Sequence, residues 1–504
     1  MYTYVYSGMM QGMYARMLRV EVDASFGLPS FDMVGNMAFE VKEARERVRV
    51  AVKNIGKQLP NLRITVNVSP AHLKKAGTGL DLPIAIGALY ASGEIRAQGL
   101  EETLFLGELG LNGELRGIQG VLPIVNEAKR QGFARVVLPS ANAKEGAFVQ
   151  GIEVYGMDNL TDVLELLSGE KKEPYVLDTA AYFQEKAASD TADFSEVQGQ
   201  YQARRAAQIA AAGFHHFLLI GPPGAGKTMI ARRLPSILPP LSAEESMEIS
   251  SIYSVAGKLD ESTPFITRRP FLNPHHTMSV QAMAGGGRIP RPGVISLAHR
   301  AVLFLDELPE FRRDVLEVLR QPMEEKRVQI ARSEAIYSFP ADFMLVAAMN
   351  PCPCGYYPDR NRCKCTDAEI TRYTSKISGP ILDRIDLCCQ VSAVRIEELR
   401  EVKPSESSAV MRGRVLKARE RQQVRFQGTQ ICFNSQIPAM DIARYCAMTK
   451  EAELCAGLLF ERLQLSARAY HRLLKVARTI ADLEDSELIQ EAHLKEAACY
   501  RLQR

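Results

Sequence analysis

The run Gly221-Pro222-Pro223-Gly224-Ala225-Gly226-Lys227-Thr228 decides the fold. It fits G-x-x-x-x-G-K-[ST], with the apolar Phe217–Ile220 before it and a helical pattern from Met229 onward. The glycines let main-chain N–H groups turn inward and cradle phosphate oxygens. Lys227 can neutralise β- and γ-phosphates, and the Thr228 hydroxyl can ligate Mg²⁺. A helix starting here points its positive dipole end at the same phosphates. The residues therefore predict a strand–loop–helix unit that binds ATP with Mg²⁺.

Such a loop needs a second strand that ends in an acid, and Ala301-Val302-Leu303-Phe304-Leu305-Asp306-Glu307 supplies it. Asp306 is expected to hold Mg²⁺ through water, and Glu307 to orient and activate the attacking water. A third apolar run, Met344–Met349, ends at Asn350, whose amide can position that water or sense the γ-phosphate. Continuous apolar strands between helical stretches imply a parallel sheet covered on both faces.

Around this core three regions separate. Residues 1 to 168 alternate short apolar strands (Ile64–Val68, Leu104–Gly107, Val136–Leu138) with helical stretches (Val41–Val52, Leu122–Gln131), which reads as a compact α/β domain. Residues 169–194 look like a linker, 195–396 form the nucleotide-binding core, and 397–504 are helical in pattern, most clearly at Gln464–Glu484. The fold class expected is α/β multidomain. A chain of 504 residues has room for about three domains, and its 46% apolar and 24% charged residues can fill full-sized cores.

A net charge of only +3 gives no global pull on nucleic acid, so any DNA site must be a local basic patch. No apolar run approaches the ~18 residues of a membrane span, and Met1–Met10 lacks the pattern of a secretory signal. None of the ten cysteines precedes Cys352, and four fall within Cys352–Cys365. That distribution suits a reducing cytosol better than a disulfide framework, and a cytoplasmic protein is expected. The four form C-x-C-x₈-C-x-C. Cys352, Cys354, Cys363 and Cys365 can surround a structural Zn²⁺, or stand as four reduced thiols.

Further segments carry a resemblance. Pro274-His275-His276-Thr277, Gly285-Gly286-Gly287, Pro292–His299, Leu319–Glu324 and Ser378–Asp386 resemble the YifB/ComM family of magnesium-chelatase-like AAA+ ATPases over nearly the whole chain. The resemblance implies an AAA+ core with a helical C-terminal lid, working as a ring of copies, hexameric by expectation. Arg384 lies in the segment that carries an arginine finger in that clade, where it would reach the ATP of the neighbouring copy. Arg468 matches the second sensor on the lid, with Arg472 one turn away. Two loops match those that contact DNA in the pore. One is the insert around Phe271–Arg291, with Arg288 and Arg291; the other is a hairpin at about Lys326–Phe343, with Lys326, Arg327 and Arg332. Adjacent on a strand, His275 and His276 would point apart, which argues for loop contacts rather than a metal site.

Residues from about Gly27 to Gly169 resemble the proteolytic domain of Lon, an S5-like α/β fold, notably at Gly77–Leu82 and Gly107–Arg116. Lon pairs a serine nucleophile with a lysine. Here those positions hold Gly79 and Leu122, and no lysine occurs between Lys75 and Lys129. A one-residue shift brings Thr78 to the first position but no lysine to the second, so a non-proteolytic domain is expected. The leading function, implied by the resemblance to the YifB/ComM family, is a ring motor that drives branch migration of forked or branched DNA during recombination of incoming strands. The rivals are a chelatase-type remodeller, against which the Lon-like domain speaks, and a Lon-like protease, against which the missing dyad speaks.

Overall fold

The computed structural model describes residues 1–187, 192–332, 335–392 and 405–501. The expected boundary at 396–397 lies outside them, as does part of the linker's end. The chain divides into two compact units.

The first unit comprises Met1–Lys186, Ala243–Thr267 and Ala331–Phe339. Its seven-stranded sheet runs in the order Ser30–Val34, Arg63–Ser69, Tyr14–Ser25, Tyr2–Gln11, Thr103–Phe105, Arg135–Pro139, Glu153–Met157. The last four of these are mutually parallel. Tyr2–Gln11 and Tyr14–Ser25 form a hairpin, and the latter strand alternates buried and half-exposed residues as a one-face-covered strand must. Helix Asp81–Ala91 is buried at ten of its eleven positions and crosses the two hairpin strands; Gly87 is needed there because a Cβ would stand 2.7 Å from Val22. Helix Leu160–Ser168 starts at an Asn159–Asp162 capping box and stops at Gly169, whose φ of 99° suits only glycine well.

The expected linear order of domains differs from this division. Helix Ala243–Val255 leaves the nucleotide core in sequence but packs in the first unit against helix Val121–Arg130. The reason is burial: Phe265 is 1% exposed and stacks 4.2 Å from Phe148, while the Ser254 hydroxyl donates to the buried Glu145 carboxylate. The expected linker also contains a helix, Thr179–Ala187.

The second unit holds Ala187–Ser242, Arg268–Ile330 and Pro340–Arg504. Its five-stranded sheet has the order Phe271–Leu272, Val302–Leu305, Met344–Met349, Phe217–Ile220, Leu387–Gln390, all parallel. The three apolar runs read from sequence are the three central strands, and the two edge strands are additions. Val302–Leu305 and Met344–Met349 are buried at every position, as strands covered on both faces must be. The C-terminal helices Ser408–Arg425, Lys450–Arg462, Ala467–Leu483 and Glu491–Cys499 share one core with this sheet.

Two histidines tie the central strands together. His216 Nδ1 accepts the Leu345 N–H at 3.0 Å, so that nitrogen is unprotonated. Its neighbour His215 lies 3.4 Å from the Asp386 carboxylate, which also accepts the His216 N–H at 3.1 Å. Burial works against the charge on Asp386, but His215, His216 and Arg472 hold its pKa well below the carboxylate range. Burial pushes His216 down to about 4, and the Lys326 charge adds to this while Asp386 and Asp342 oppose it.

A buried neutral histidine binds its proton more readily in the unfolded chain, where its pKa is about 6.5. Its stability term is thus intact above pH 6.5 and erodes as pH falls towards 4, by about 3 kcal/mol in all. His216→Leu lacks that titration. The stability gap between wild type and His216→Leu, from urea unfolding, should shrink between pH 7 and pH 4; parallel pH profiles would show that His216 is not held neutral.

Candidate functional site

Three strand ends and one loop converge in the second unit. Register pairs Ile220 with Met349 and Leu305 with Ala347, so the residues after each strand emerge at one edge of the sheet, where open α/β sheets bind ligands. Gly224 and Gly226 have φ of 75° and 88°, and the second caps helix Lys227–Ile237. These left-handed turns aim the loop's N–H groups inward.

Lys227 is buried, with its ammonium donating to the carbonyls of Gly221 (2.7 Å) and Pro222 (2.9 Å) and to Asn350 Oδ1 (3.0 Å). Burial lowers its pKa, and the carboxylates of Asp306 and Glu307 work against that shift. Thr228 Oγ1 donates to Asp306 Oδ2 at 2.7 Å. A Thr228 hydroxyl that donates its proton to Asp306 keeps its lone pairs for Mg²⁺, and the carboxylate stands where it can hold the ion's water. Glu307 is exposed, with φ 52° and ψ 48°, a conformation rare outside glycine that swings its carboxylate off the strand axis. The sequence-derived group Lys227, Thr228, Asp306, Glu307 and Asn350 is thus brought to one edge.

The two arginines stand apart from it. Arg384 donates to the Pro380 carbonyl at 2.6 Å and pairs with Glu324, and Arg468 is exposed on the first turn of helix Ala467–Leu483. Arg472 donates to the Ile385 carbonyl at 2.9 Å. Glu324 was not singled out by sequence reasoning, although it closes the quoted segment Leu319–Glu324.

Of the five basic candidates, Arg288, Arg291, Arg327 and Arg332 are exposed. Arg291 lies in the small hairpin Gly285–Gly286 / Arg291–Pro292, with Arg288 in its turn, and Arg327 on the two-stranded Arg327–Ala331 / Ile336–Pro340. Lys326 differs from expectation. It is half-buried and pairs at 3.2 Å with the buried Asp342, which Arg300 also holds at 2.9 Å. Removing it would take one of two cations from a buried carboxylate, so it serves the hairpin's base rather than its tip. The histidines differ as well: the His275 and His276 rings lie 4.2 Å apart, because His275–Met278 is a turn, closed by the Met278 N–H on the His275 carbonyl, and not a strand.

The four cysteines do gather. Cys352 Sγ lies 3.4 Å from Cys354 Sγ and 3.7 Å from Cys363 Sγ, Cys354 lies 3.6 Å from Cys363, and all four sulfurs fall within 4.8 Å of one another. Four thiolates at 2.3 Å from a tetrahedral Zn²⁺ stand about 3.8 Å apart, so the set fits that ion. The Tyr356 N–H lowers the Cys354 thiol to about 6, while burial raises Cys363. Gly355 sits against the phosphate loop: a Cβ there would be 2.4 Å from Pro223 Cδ.

In the first unit the positions that Lon would use for its dyad hold other contacts. Leu122 is buried, Thr78 Oγ1 donates to Glu108, and Lys75 is buried with its ammonium on the Pro70 carbonyl. No described helix is long and apolar enough to cross a membrane.

Fold and site together define a P-loop ATPase of the AAA+ class, the kind that uses ATP and Mg²⁺. Residues 193–399 match the family "Magnesium chelatase, subunit ChlI", residues 405–501 its C-terminal counterpart, and residues 20–142 "Subunit ChlI of Mg-chelatase". Competence protein ComM of Haemophilus influenzae is 42% identical over 99% of this chain and 97% of its own length, and the uncharacterized protein YifB of Salmonella typhimurium is 42% identical over 97% and 95%. DNA repair protein RadA of Halalkalibacterium halodurans is 32% identical over 31% of this chain and 34% of its own length. The chain belongs to the YifB/ComM family of magnesium-chelatase-like AAA+ ATPases. The match over residues 20–142 carries a chelatase description, so the first domain does not set the chain apart from chelatase-type proteins as expected.

Proposed function

We propose that the protein is a ring-forming ATP-driven motor that moves on forked or branched DNA and drives branch migration as incoming strands recombine. The observation that carries the motor is the joined set of Lys227 on Asn350 and Thr228 on Asp306. In this reading Gly221, Pro222, Pro223, Gly224, Ala225 and Gly226 wrap the phosphates, Lys227 balances their charge, and Thr228 and Asp306 hold Mg²⁺. Glu307 activates water and Asn350 orients it. Arg468 reaches the γ-phosphate from the lid. The four cysteines hold a structural Zn²⁺. The full-length likeness to a competence protein and the partial likeness to a DNA repair protein favour DNA as the track.

The chemistry is tested by two variants. Lys227→Ala should lose ATP binding. Glu307→Gln should bind ATP normally with turnover reduced at least a hundred-fold, since general-base catalysis contributes roughly 10²–10⁴. Wild-type hydrolysis by Glu307→Gln would remove it as the base.

Arg384 serves the neighbour's ATP in this reading, with Glu324 holding the guanidinium at the edge of its own chain. Arg384→Ala should bind ATP yet hydrolyse it about 10³-fold or more slowly. Mixing it with Glu307→Gln should restore part of the activity, because some junctions then pair an intact Glu307 with an intact Arg384. Full activity of Arg384→Ala in dilute monomer defeats the shared site.

The track is tested at the exposed arginines. Lys326 is left intact because it holds Asp342. Replacing Arg288, Arg291, Arg327 and Arg332 by Ala should weaken duplex binding across sequences and flatten the dependence of log affinity on log salt by up to about 3.6, at ~0.9 per phosphate. Basal hydrolysis should persist while DNA stimulation disappears. Unchanged stimulation removes these loops from the mechanism, and a wild-type protein without DNA affinity at low salt moves the reading to a chelatase-type remodeller.

A further inference from the structure

The cysteine loop carries more than its thiols. Between Cys354 and Cys365 stand Tyr356, Tyr357, Arg360, Arg362 and Lys364. The Arg362 guanidinium lies 4.0 Å from the Tyr356 ring centroid and that of Arg360 lies 5.0 Å from Tyr357. Arg360, Arg362, Lys364 and Tyr357 are exposed. Arg360 is partly committed, donating to the Cys365 carbonyl at 2.9 Å and to Asp367, whereas Arg362 and Lys364 enter no ion pair among the described residues.

Two explanations compete for these cations. A zinc held by four thiolates carries two negative charges, and nearby cations can balance them. Balance alone would aim the guanidiniums at the sulfurs. Instead the Arg362 guanidinium sits over the Tyr356 ring, at a cost in side-chain freedom, and stays exposed, while Arg360 spans Tyr357, the Cys365 carbonyl and Asp367. Stacked guanidinium–aromatic pairs beside free cations are what unpaired bases and phosphates use: bases stack on aromatic rings and on Arg planes, and the cations follow the backbone.

We propose that the Cys352–Cys365 knuckle is a contact site for single-stranded nucleic acid, with a base stacked on the Arg362–Tyr356 pair and phosphates held by Arg362 and Lys364. The assignment rests on the reading of the protein as a DNA motor. It also gives the strand a short route to the nucleotide: Gly355 abuts Pro223 of the phosphate loop, and Cys352 follows two residues after Asn350, which holds Lys227. A strand on the knuckle presses on the loop that holds ATP.

The test uses the full chain, a fluorescent oligo-dT strand and anisotropy across a salt series. Arg362→Ala with Lys364→Ala should weaken binding and flatten the slope of log affinity against log salt by about 1.4, two cations at ~0.7 each. Arg362→Lys keeps the charge and loses the plane, so it should keep the slope while affinity falls roughly five-fold or more. About one zinc per chain in each variant certifies an intact knuckle. For a loop that does not survive substitution, a strand bearing 5-iododeoxyuridine should photo-crosslink in wild type to the peptide holding Tyr356 and Tyr357. Wild-type binding with unchanged affinity and slope in both variants, or crosslinks only elsewhere, overturns the knuckle site and leaves the motor reading standing. Displacement of the strand by polyglutamate as readily as by unlabelled oligo-dT overturns it in favour of an acidic protein partner. No strand binding by wild type at low salt overturns both readings.

Discussion

The hydrogen bond from the Lys227 ammonium to Asn350 depends on the parallel register of two strands, and the site depends on that bond. A lysine enclosed by protein has lost much of its water, and burial lowers its pKa. Two loop carbonyls and one side-chain amide replace that water. Asn350 can serve only because Met344–Met349 runs beside Phe217–Ile220 in step, ending level with it. The same pairing brings Val302–Leu305 alongside, and with it Asp306 within 2.7 Å of Thr228. A slip of one residue in any of these strands would turn the wrong faces to the core as well as dispersing the site, so packing and site geometry are specified together.

This coupling explains what could be read from sequence. The three central strands are apolar throughout because both faces are covered; two lead into the polar residues Asp306 and Asn350 and the third into the glycine-rich loop, so fold and site announced themselves in the same lines. Leu387–Gln390 and Phe271–Leu272 did not: one is four residues with two cysteines and the other only two residues long, too little for a period to show. The segment Ala243–Thr267 was equally opaque. Its partners Glu145 and Phe148 lie roughly a hundred residues away, and nothing local marks a segment for one unit over another. Lys326 looked like a tip cation because its buried partner Asp342 follows the hairpin in sequence, and a charge reads as solvated until its partner is located. The resemblance supplied Arg384 and Arg468, whose roles no spacing argument reaches.

The lid is joined to the sheet by directional bonds as well as by apolar packing. Thr479, on helix Ala467–Leu483, meets His215 Nε2 at 2.8 Å and accepts from Asn434 at 3.1 Å; Asn434 also donates to Asp482, which pairs with Arg425 and Arg478. Gly213 makes the approach feasible, since a Cβ there would stand 2.6 Å from the Thr479 hydroxyl. Asp342, at the base of the basic hairpin, likewise accepts from Gln436 at 2.7 Å while holding Arg300 and Lys326.

Apolar contact alone is non-directional and tolerates sliding, whereas a chain of buried hydrogen bonds has discrete satisfied arrangements, and leaving one member unpaired costs about 1–3 kcal/mol. Asp386 pairs with the histidines that precede the phosphate-loop strand and lies two residues after Arg384. Arg472, which stands between Arg468 and Thr479 on the lid helix, holds the carbonyl of Ile385. The segment bearing Arg384, the helix bearing Arg468 and the strand leading into the phosphate loop therefore meet at one buried knot around Asp386. A lid displacement that broke the Arg472–Ile385 bond would disturb the strand entering the phosphate loop and the base of Arg384 together. Arg384 and Arg468 thus share a buried anchor with the strand that enters the phosphate loop.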